Sequence, residues 1–312
     1  MSAGQASPFS PRAVLGLVLF GGVVFVLLLW MLGNGMGSGD TNNGGGHAGG
    51  KGLNGYAALD AYLARRGFET TRVRSEGGLD KPGLLVLTPP QNADGKELTA
   101  IVEKRRLIGP TLVITPKWVG MKPDARQKTA KTGWVNLAGP SLPRWAGFYD
   151  DITLEQRKAT PGAQKGLWAA AHGRGGAVPL DPRNTEPWLL TGSGENLVPL
   201  VVARQDGRML AGWINDGGMY PDLEDMSFAQ PQTYGEDEDS YPVVFVFEPD
   251  LFNNWGMAHR ENAQLAEALV RAVMTDDVNT VSFDLTQNGL GRSANLLTLA
   301  LPRRFWRRHC AC

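Results

Sequence analysis

The amino-acid sequence predicts an α/β fold: a mostly parallel central sheet with flanking helices, one antiparallel hairpin and an N-terminal transmembrane helix. Three features predict it. Leu84–Leu87 (LLVL), Thr111–Thr115 (TLVIT) and Val243–Phe247 (VVFVF) are short, largely apolar runs, the pattern of strands covered on both faces. The first two flank Asp94–Leu107, a helical segment with charges on its outer face, which makes a βαβ unit with a right-handed crossover. Residues 13–33 carry no charge at all.

Residues 1–12 are expected on the cytoplasmic side, with 13–33 (AVLGLVLFGGVVFVLLLWMLG) as the membrane span. About 20 apolar residues, at 1.5 Å each, cross roughly 30 Å of hydrocarbon. Trp30 suits an interface, and Gly21 and Gly22 permit close helix packing. A cleaved signal peptide would have a shorter apolar region and a small-x-small site. Arg12 precedes the run and no basic residue follows until Lys51. The positive-inside rule then gives a single-pass protein of the inner (plasma) membrane, N-terminus cytoplasmic and domain periplasmic.

Residues 34–52 (NGMGSGDTNNGGGHAGGKG) read as a flexible glycine-rich linker, because so little apolar surface cannot support a core. His47 within it is expected to be solvated. The α/β domain is placed at 53–301. Asn54 is the expected N-cap of a helix that groups Tyr56, Leu59, Tyr62 and Leu63 on one face and stops at Gly67. Phe68–Val73 alternates as a strand does. Residues 116–190, rich in Gly, Pro, Lys and Trp, read as a loop-rich insertion, with Trp134–Ala138 as one short strand. Leu197–Arg204 and Arg208–Ile214 flank Gln205-Asp206-Gly207, a hairpin signal. Glu261–Val273 is amphipathic, with Ala263, Leu265, Ala266, Leu269, Val270 and Val273 in one stripe, and Thr280–Asp284 is the final strand.

The 31 Lys and Arg residues balance 31 Asp and Glu, so no basic face for nucleic acid is expected. Cys310 and Cys312 are the only cysteines, which excludes a cysteine nucleophile from the domain. Neither a G-x-S-x-G elbow nor a P-loop occurs. His47, His172, His259 and His309 are not paired at metal-ligand spacing, and the acidic run at 236–239 lacks the interleaved ligands of a calcium loop. No catalytic residue, metal or cofactor is assigned on this basis. Phe247-Glu248-Pro249-Asp250-Leu251-Phe252-Asn253-Asn254-Trp255-Gly256 directly follows a buried strand. Ligands of open α/β sheets bind beyond the carboxyl ends of strands, so Glu248, Asp250, Asn253, Asn254 and Asn262 are the candidate binding residues. The alternative is a turn whose asparagines cap loop backbone groups.

An N-terminal apolar run, then NGYAALDAYLARRGFETTRV, GLLVLTPP and FEPDLFNNWGMAHRENAQLAEAL, resembles a bacterial membrane family known only as domain of unknown function 4350. The last segment is similar to the strand–loop–helix of the glutamine-amidotransferase-like, flavodoxin-like fold of accessory subunits in some transport and gliding systems. In those an aspartate after the strand and an asparagine opening the helix recur, matching Asp250 and Asn262. The resemblance covers 53–115 and 243–285 best. It implies a non-catalytic version of that fold, since the place of the amidotransferase cysteine, near Thr115-Pro116, holds none. It also implies a neighbouring MoxR-type ATPase system as a partner, alongside the lipid bilayer at 13–33.

The tail 302–312 (PRRFWRRHCAC), which follows Leu301, breaks with all that precedes it. Read from the last base of the Pro302 codon, permitted codons give the apolar APFLAATLCL, so the tail is read as a frameshift product that replaces a second membrane helix. The function expected is a membrane-tethered, non-enzymatic binding or scaffold domain, part of a membrane-associated complex. The alternatives are a carboxylate-based hydrolase or carbohydrate-acting enzyme using Glu248 and Asp250 with His259, and an accessory subunit of a transport system.

Overall fold

The computed structural model describes residues 11–33, 41–124, 126–158, 165–179, 188–228, 240–274 and 278–291. The acidic run at 236–239 and the tail at 302–312 lie outside the described residues. The chain divides into two units, and the larger, Thr41–Gly291, holds the whole sheet.

In the other unit, helix α1 (Pro11–Gly33) exposes its described apolar side chains from Val14 to Leu28. Among the described residues no helix is long and apolar enough to cross a membrane. The expected transmembrane helix at 13–33 is corrected on that ground.

The larger unit begins with α2 (Ala57–Arg65), β1 (Glu69–Val73), the single turn α3 (Glu76–Leu79), β2 (Leu84–Leu87), α4 (Gly95–Arg105) and β3 (Thr111–Ile114). Helix α4 starts where Asp94 accepts from the Lys96 and Glu97 amides, which satisfies two of its orphan donors. Residues 116–190 then supply β4 (Trp118–Met121), β5 (Asn136–Pro140), β6 (Thr153–Lys158), β7 (Lys165–Ala170), β8 (Gly175–Pro179) and the start of β9 (Trp188–Ser193). The chain continues through β10 (Leu197–Ala203), β11 (Met209–Ile214), α5 (Pro221–Asp225), β12 (Val243–Val246), α6 (Arg260–Val273) and β13 (Thr280–Asp284).

The main sheet has 11 strands among the described residues, in the order β1-β13-β2-β3-β12-β11-β10-β7-β8, with β9 on β11 and β6 on β9. The first five pair in parallel. The other six pair antiparallel. The expectation of a mostly parallel sheet with one hairpin is therefore wrong: the sheet is mixed. The hairpin exists, turning at Gly207 (φ +71°) between β10 and β11, but the segment read as loop-rich adds four more antiparallel strands to it.

Both faces of the parallel half are covered, which explains its unbroken apolar runs. Leu84, Val86, Leu112, Ile114, Val244 and Val246 pack with Leu59 and Leu63 of α2 and Leu265, Ala266 and Leu269 of α6. The alternate residues Leu85, Leu87, Val113, Val243 and Phe245 pack with Leu98 and Val102 of α4 and with Trp145 and Phe148. Successive side chains of a strand point to opposite faces, so each four-residue run serves two layers.

Candidate functional site

Strand β3 is followed by Thr115-Pro116-Lys117 and its neighbour β12 by Phe247-Glu248-Pro249-Asp250. Thr115 fastens the two exits, its amide donating to Val246 O (3.0 Å) and its hydroxyl to Phe247 O (2.6 Å). Ile114 is the register partner of Val246. Continued three residues, that register sets Lys117 opposite Pro249, between the two flanking carboxylates.

The side chains close accordingly. Lys117 Nζ donates to Glu248 Oε1 and to Asp250 Oδ2, both at 2.8 Å, and all three side chains are fully buried. Glu248 also accepts from the amides of Leu190 (2.7 Å) and Asp250 (3.0 Å). Asp250 Oδ1 accepts from Trp118 Nε1 (2.7 Å) and Asn253 Nδ2 (2.5 Å). Buried charge is tolerable only when paired and fully hydrogen-bonded, and every carboxylate oxygen here has a donor. Burial pushes the Glu248 carboxyl up to about 7, against the lowering effect of Lys117. Burial also works against the Lys117 charge, but Asp250 and Glu248 outweigh it and hold the ammonium above its ordinary range. The three donors around Glu248 leave its oxygens no acceptor for a proton, which favours the ionised form that Lys117 pairs with.

The sequence-chosen residues thus come together only in part. Glu248 and Asp250 form the clasp with Lys117. Asn253 links it to the next turn, accepting from the Gly256 amide (2.9 Å). Asn254 faces another way: its Nδ2 donates to Gly50 O (2.9 Å) and Gly52 O (2.5 Å), and its Oδ1 accepts from the Ala58 amide (2.7 Å). Asn262 is buried in α6, accepting from Trp168 Nε1 (2.8 Å) and donating to Ala177 O (3.2 Å). Sequence reasoning missed Lys117, although its place directly after an apolar run was the same signal that selected Glu248.

The glycine-rich stretch is not a free linker from Thr41 onward. His47 is buried, with Nε2 2.9 Å from Asn43 Oδ1. The Gly49 amide donates to His47 Nδ1 (3.2 Å). Nδ1 is therefore an acceptor, and the ring is neutral with its proton on Nε2. Burial, with a smaller contribution from Arg72, lowers the His47 pKa to about 4. The expectation of a solvated His47 fails because Asn254 and the Gly50 and Gly52 carbonyls tie the loop to the turn after β12. Asn54 does not cap α2, whose N-cap is Tyr56; its Nδ2 donates to Gly44 O (3.2 Å).

This loop roofs a cavity of about 410 Å³ at the carboxyl ends of β2, β3, β12 and β13, within the range of roughly 300–1,000 Å³ usual for small-molecule pockets. His47, Asn54, Tyr56, Thr88, Trp118 and Asn253 are among its walls, whereas Glu248 and Asp250 lie behind them. After β13, Asp284 accepts from the Thr286 and Gln287 amides and so turns Asn288 toward the cavity, where its Nδ2 donates to Thr88 O (3.0 Å). Among the described residues, two that line the cavity each hold a fully buried side-chain atom without a hydrogen-bond partner: Asn54 Oδ1 and Thr88 Oγ1. Among the described residues no group of three His, Cys, Asp or Glu is placed to hold a metal ion. No protein-family model, curated protein or solved structure matches this chain.

Proposed function

We propose that the larger unit is a non-enzymatic binding domain that takes a small molecule in the cavity roofed by the glycine-rich loop. The observation that carries this is the place of the cavity, about 410 Å³ beyond the carboxyl ends of β2, β3 and β12, where open α/β sheets bind their ligands. The carboxylate-based hydrolase is disfavoured, because Glu248 and Asp250 spend their oxygens on Lys117, Trp118, Asn253 and two amides. A general base must reach substrate, and neither is on the cavity wall.

A non-catalytic member of the family resembling domain of unknown function 4350, serving a membrane-associated complex, is the setting we infer. The exposed apolar side chains of α1 support a lipid surface as the partner of that segment. Native mass spectrometry and ligand-observed NMR of the full chain against a chemically broad small-molecule library test the binding role. The reading expects a ligand that is lost on Thr88→Val and recovered chemically unchanged after incubation. Turnover of that ligand, or binding indifferent to Thr88→Val, contradicts it.

A further inference from the structure

The buried clasp of Lys117, Glu248 and Asp250 has the geometry of a reaction as well as of an ion pair. An ammonium 2.8 Å from a carboxylate oxygen is one proton transfer away from an amine facing a carboxylic acid, the reactants of an amide bond. All three side chains are 0% exposed, so bulk water, which would reverse a condensation, is kept out. The two carboxylates are not equivalent. Asp250 Oδ1 accepts from Trp118 Nε1 (2.7 Å) and Asn253 Nδ2 (2.5 Å). Both donors are aimed at the oxygen that carries negative charge once Cγ is attacked. Among the described residues Asp250 Oδ2 accepts from Lys117 alone, so no other donor holds it back from leaving. Glu248 has no such oxygen: Oε2 is held by the Leu190 amide, and Oε1 by the Asp250 amide as well as by Lys117. Glu248 instead stands against Nζ as a base. Burial raises its carboxyl to about 7, near the pH at which a proton relay is most efficient.

We propose that Lys117 and Asp250 condense spontaneously into an intramolecular isopeptide bond, with Glu248 as the base and Trp118 and Asn253 as the oxyanion donors. The ammonium first gives one proton to Asp250 Oδ2, a transfer that a dry site favours because it removes two charges. The Nζ lone pair then attacks Asp250 Cγ while Glu248 Oε1 takes a second proton from the nitrogen. Negative charge on Oδ1 is met by Trp118 and Asn253. Glu248 returns its proton to the Oδ2 hydroxyl, the Cγ–Oδ2 bond breaks, and one water leaves. An ammonium and a carboxylate enter, an amide and a water result, Glu248 is restored, and nothing is oxidised or reduced. The fold offsets the cost of condensation, since holding two groups in contact is equivalent to an effective molarity of about 10⁵–10⁸ M. The bond joins the exits of β3 and β12 across 133 positions of chain.

Denaturing electrospray mass spectrometry of the full chain, purified folded and held at neutral pH, tests the proposal. The wild type is expected to be lighter than its sequence by the mass of one water, and peptide mapping to yield a branched peptide that joins Lys117 to Asp250. Lys117→Arg is expected at full mass, with no branched peptide. Glu248→Gln keeps a hydrogen-bonding side chain but no base, and is expected to form the bond about 10²-fold more slowly. Asp250→Asn keeps the test decisive if those variants fail to fold: its carboxamide reaches the same product by losing ammonia in place of water, so the same branched peptide is expected. A wild type that is folded by circular dichroism and stays at full sequence mass overturns the proposal. So does a water loss that maps to Glu248 or to any bond without Lys117. Bond formation in Glu248→Gln at the wild-type rate overturns the assignment of the base.

Discussion

Lys117 is a cation held entirely by its surroundings: two carboxylates at 2.8 Å and an indole ring 5.0 Å away. Removing one partner of a buried charge cluster costs about 3–5 kcal/mol, because the remaining charges stay buried and uncompensated. Lys117→Met is therefore expected to lower the unfolding free energy by about that much, measured by urea denaturation. His47 makes a prediction in pH. Its folded pKa, about 4, lies below its ordinary 6.5, so between those values the unfolded chain binds the extra proton. The stability that neutral His47 contributes is complete above pH 6.5 and is lost as pH falls through 4. The shift corresponds to about 3 kcal/mol at 1.36 kcal/mol per unit. Glu248, raised to about 7, works in the opposite direction between about 4.5 and 7. Comparison of the wild type with His47→Asn isolates the histidine: the wild type should lose ground to the variant steadily from pH 6.5 to 4. A difference that stays constant across that window would mean the ring is not held neutral.

The glycine-rich loop is the element on which the site depends. A Cβ on Gly55 would lie 2.1 Å from Gly50 O, and one on Gly50 would lie 2.2 Å from Gly45 O, so backbone approaches backbone where only glycine fits. Gly55→Ala is expected to cost about 1–3 kcal/mol, the usual range for forced overpacking, and to raise amide exchange at Gly49 and Gly50. Unchanged exchange there would show that the loop does not rest on this contact. Nothing in the composition of 41–52 announces this order. The stretch has almost no apolar side chains, and what fixes it are bonds from Asn254, some 200 residues away. Strands β2, β3 and β12, by contrast, were legible because burial on both faces leaves an unbroken apolar run. Strands β6 to β8 were not, since several of their side chains are half-exposed and apolar Leu167 of β7 is exposed, and the period-two signal is weak.

At the scale of the molecule, the parallel and antiparallel halves of the sheet share one apolar core. Leu84, Leu112 and Val246 of the parallel half belong to the same buried cluster as Trp168, Val198 and Leu210 of the antiparallel half. A shared core predicts coincident unfolding by tryptophan fluorescence, to which buried Trp168 and Trp213 contribute among the nine tryptophans, and by far-ultraviolet circular dichroism. Two separated transitions would show that the halves are independent. The mixed sheet was hidden from sequence because the antiparallel strands add on beyond β12 through pairings that local pattern does not specify. The candidate site was half legible: position after an apolar run pointed to Glu248 and Asp250, but only the fold shows them turned inward onto Lys117, leaving the cavity to Asn54, Thr88 and Trp118.

The central claim is that the cavity lining serves a ligand rather than the stability of the fold, and one measurement tests it most directly: urea unfolding of Thr88→Val with no ligand added. The substitution keeps the shape and removes a buried hydroxyl that has no partner. The midpoint should stay the same or rise, by up to about 1 kcal/mol at unchanged slope. A fall of that size would mean that the hydroxyl is already satisfied within the fold, and that the cavity wall is built for structure rather than for binding.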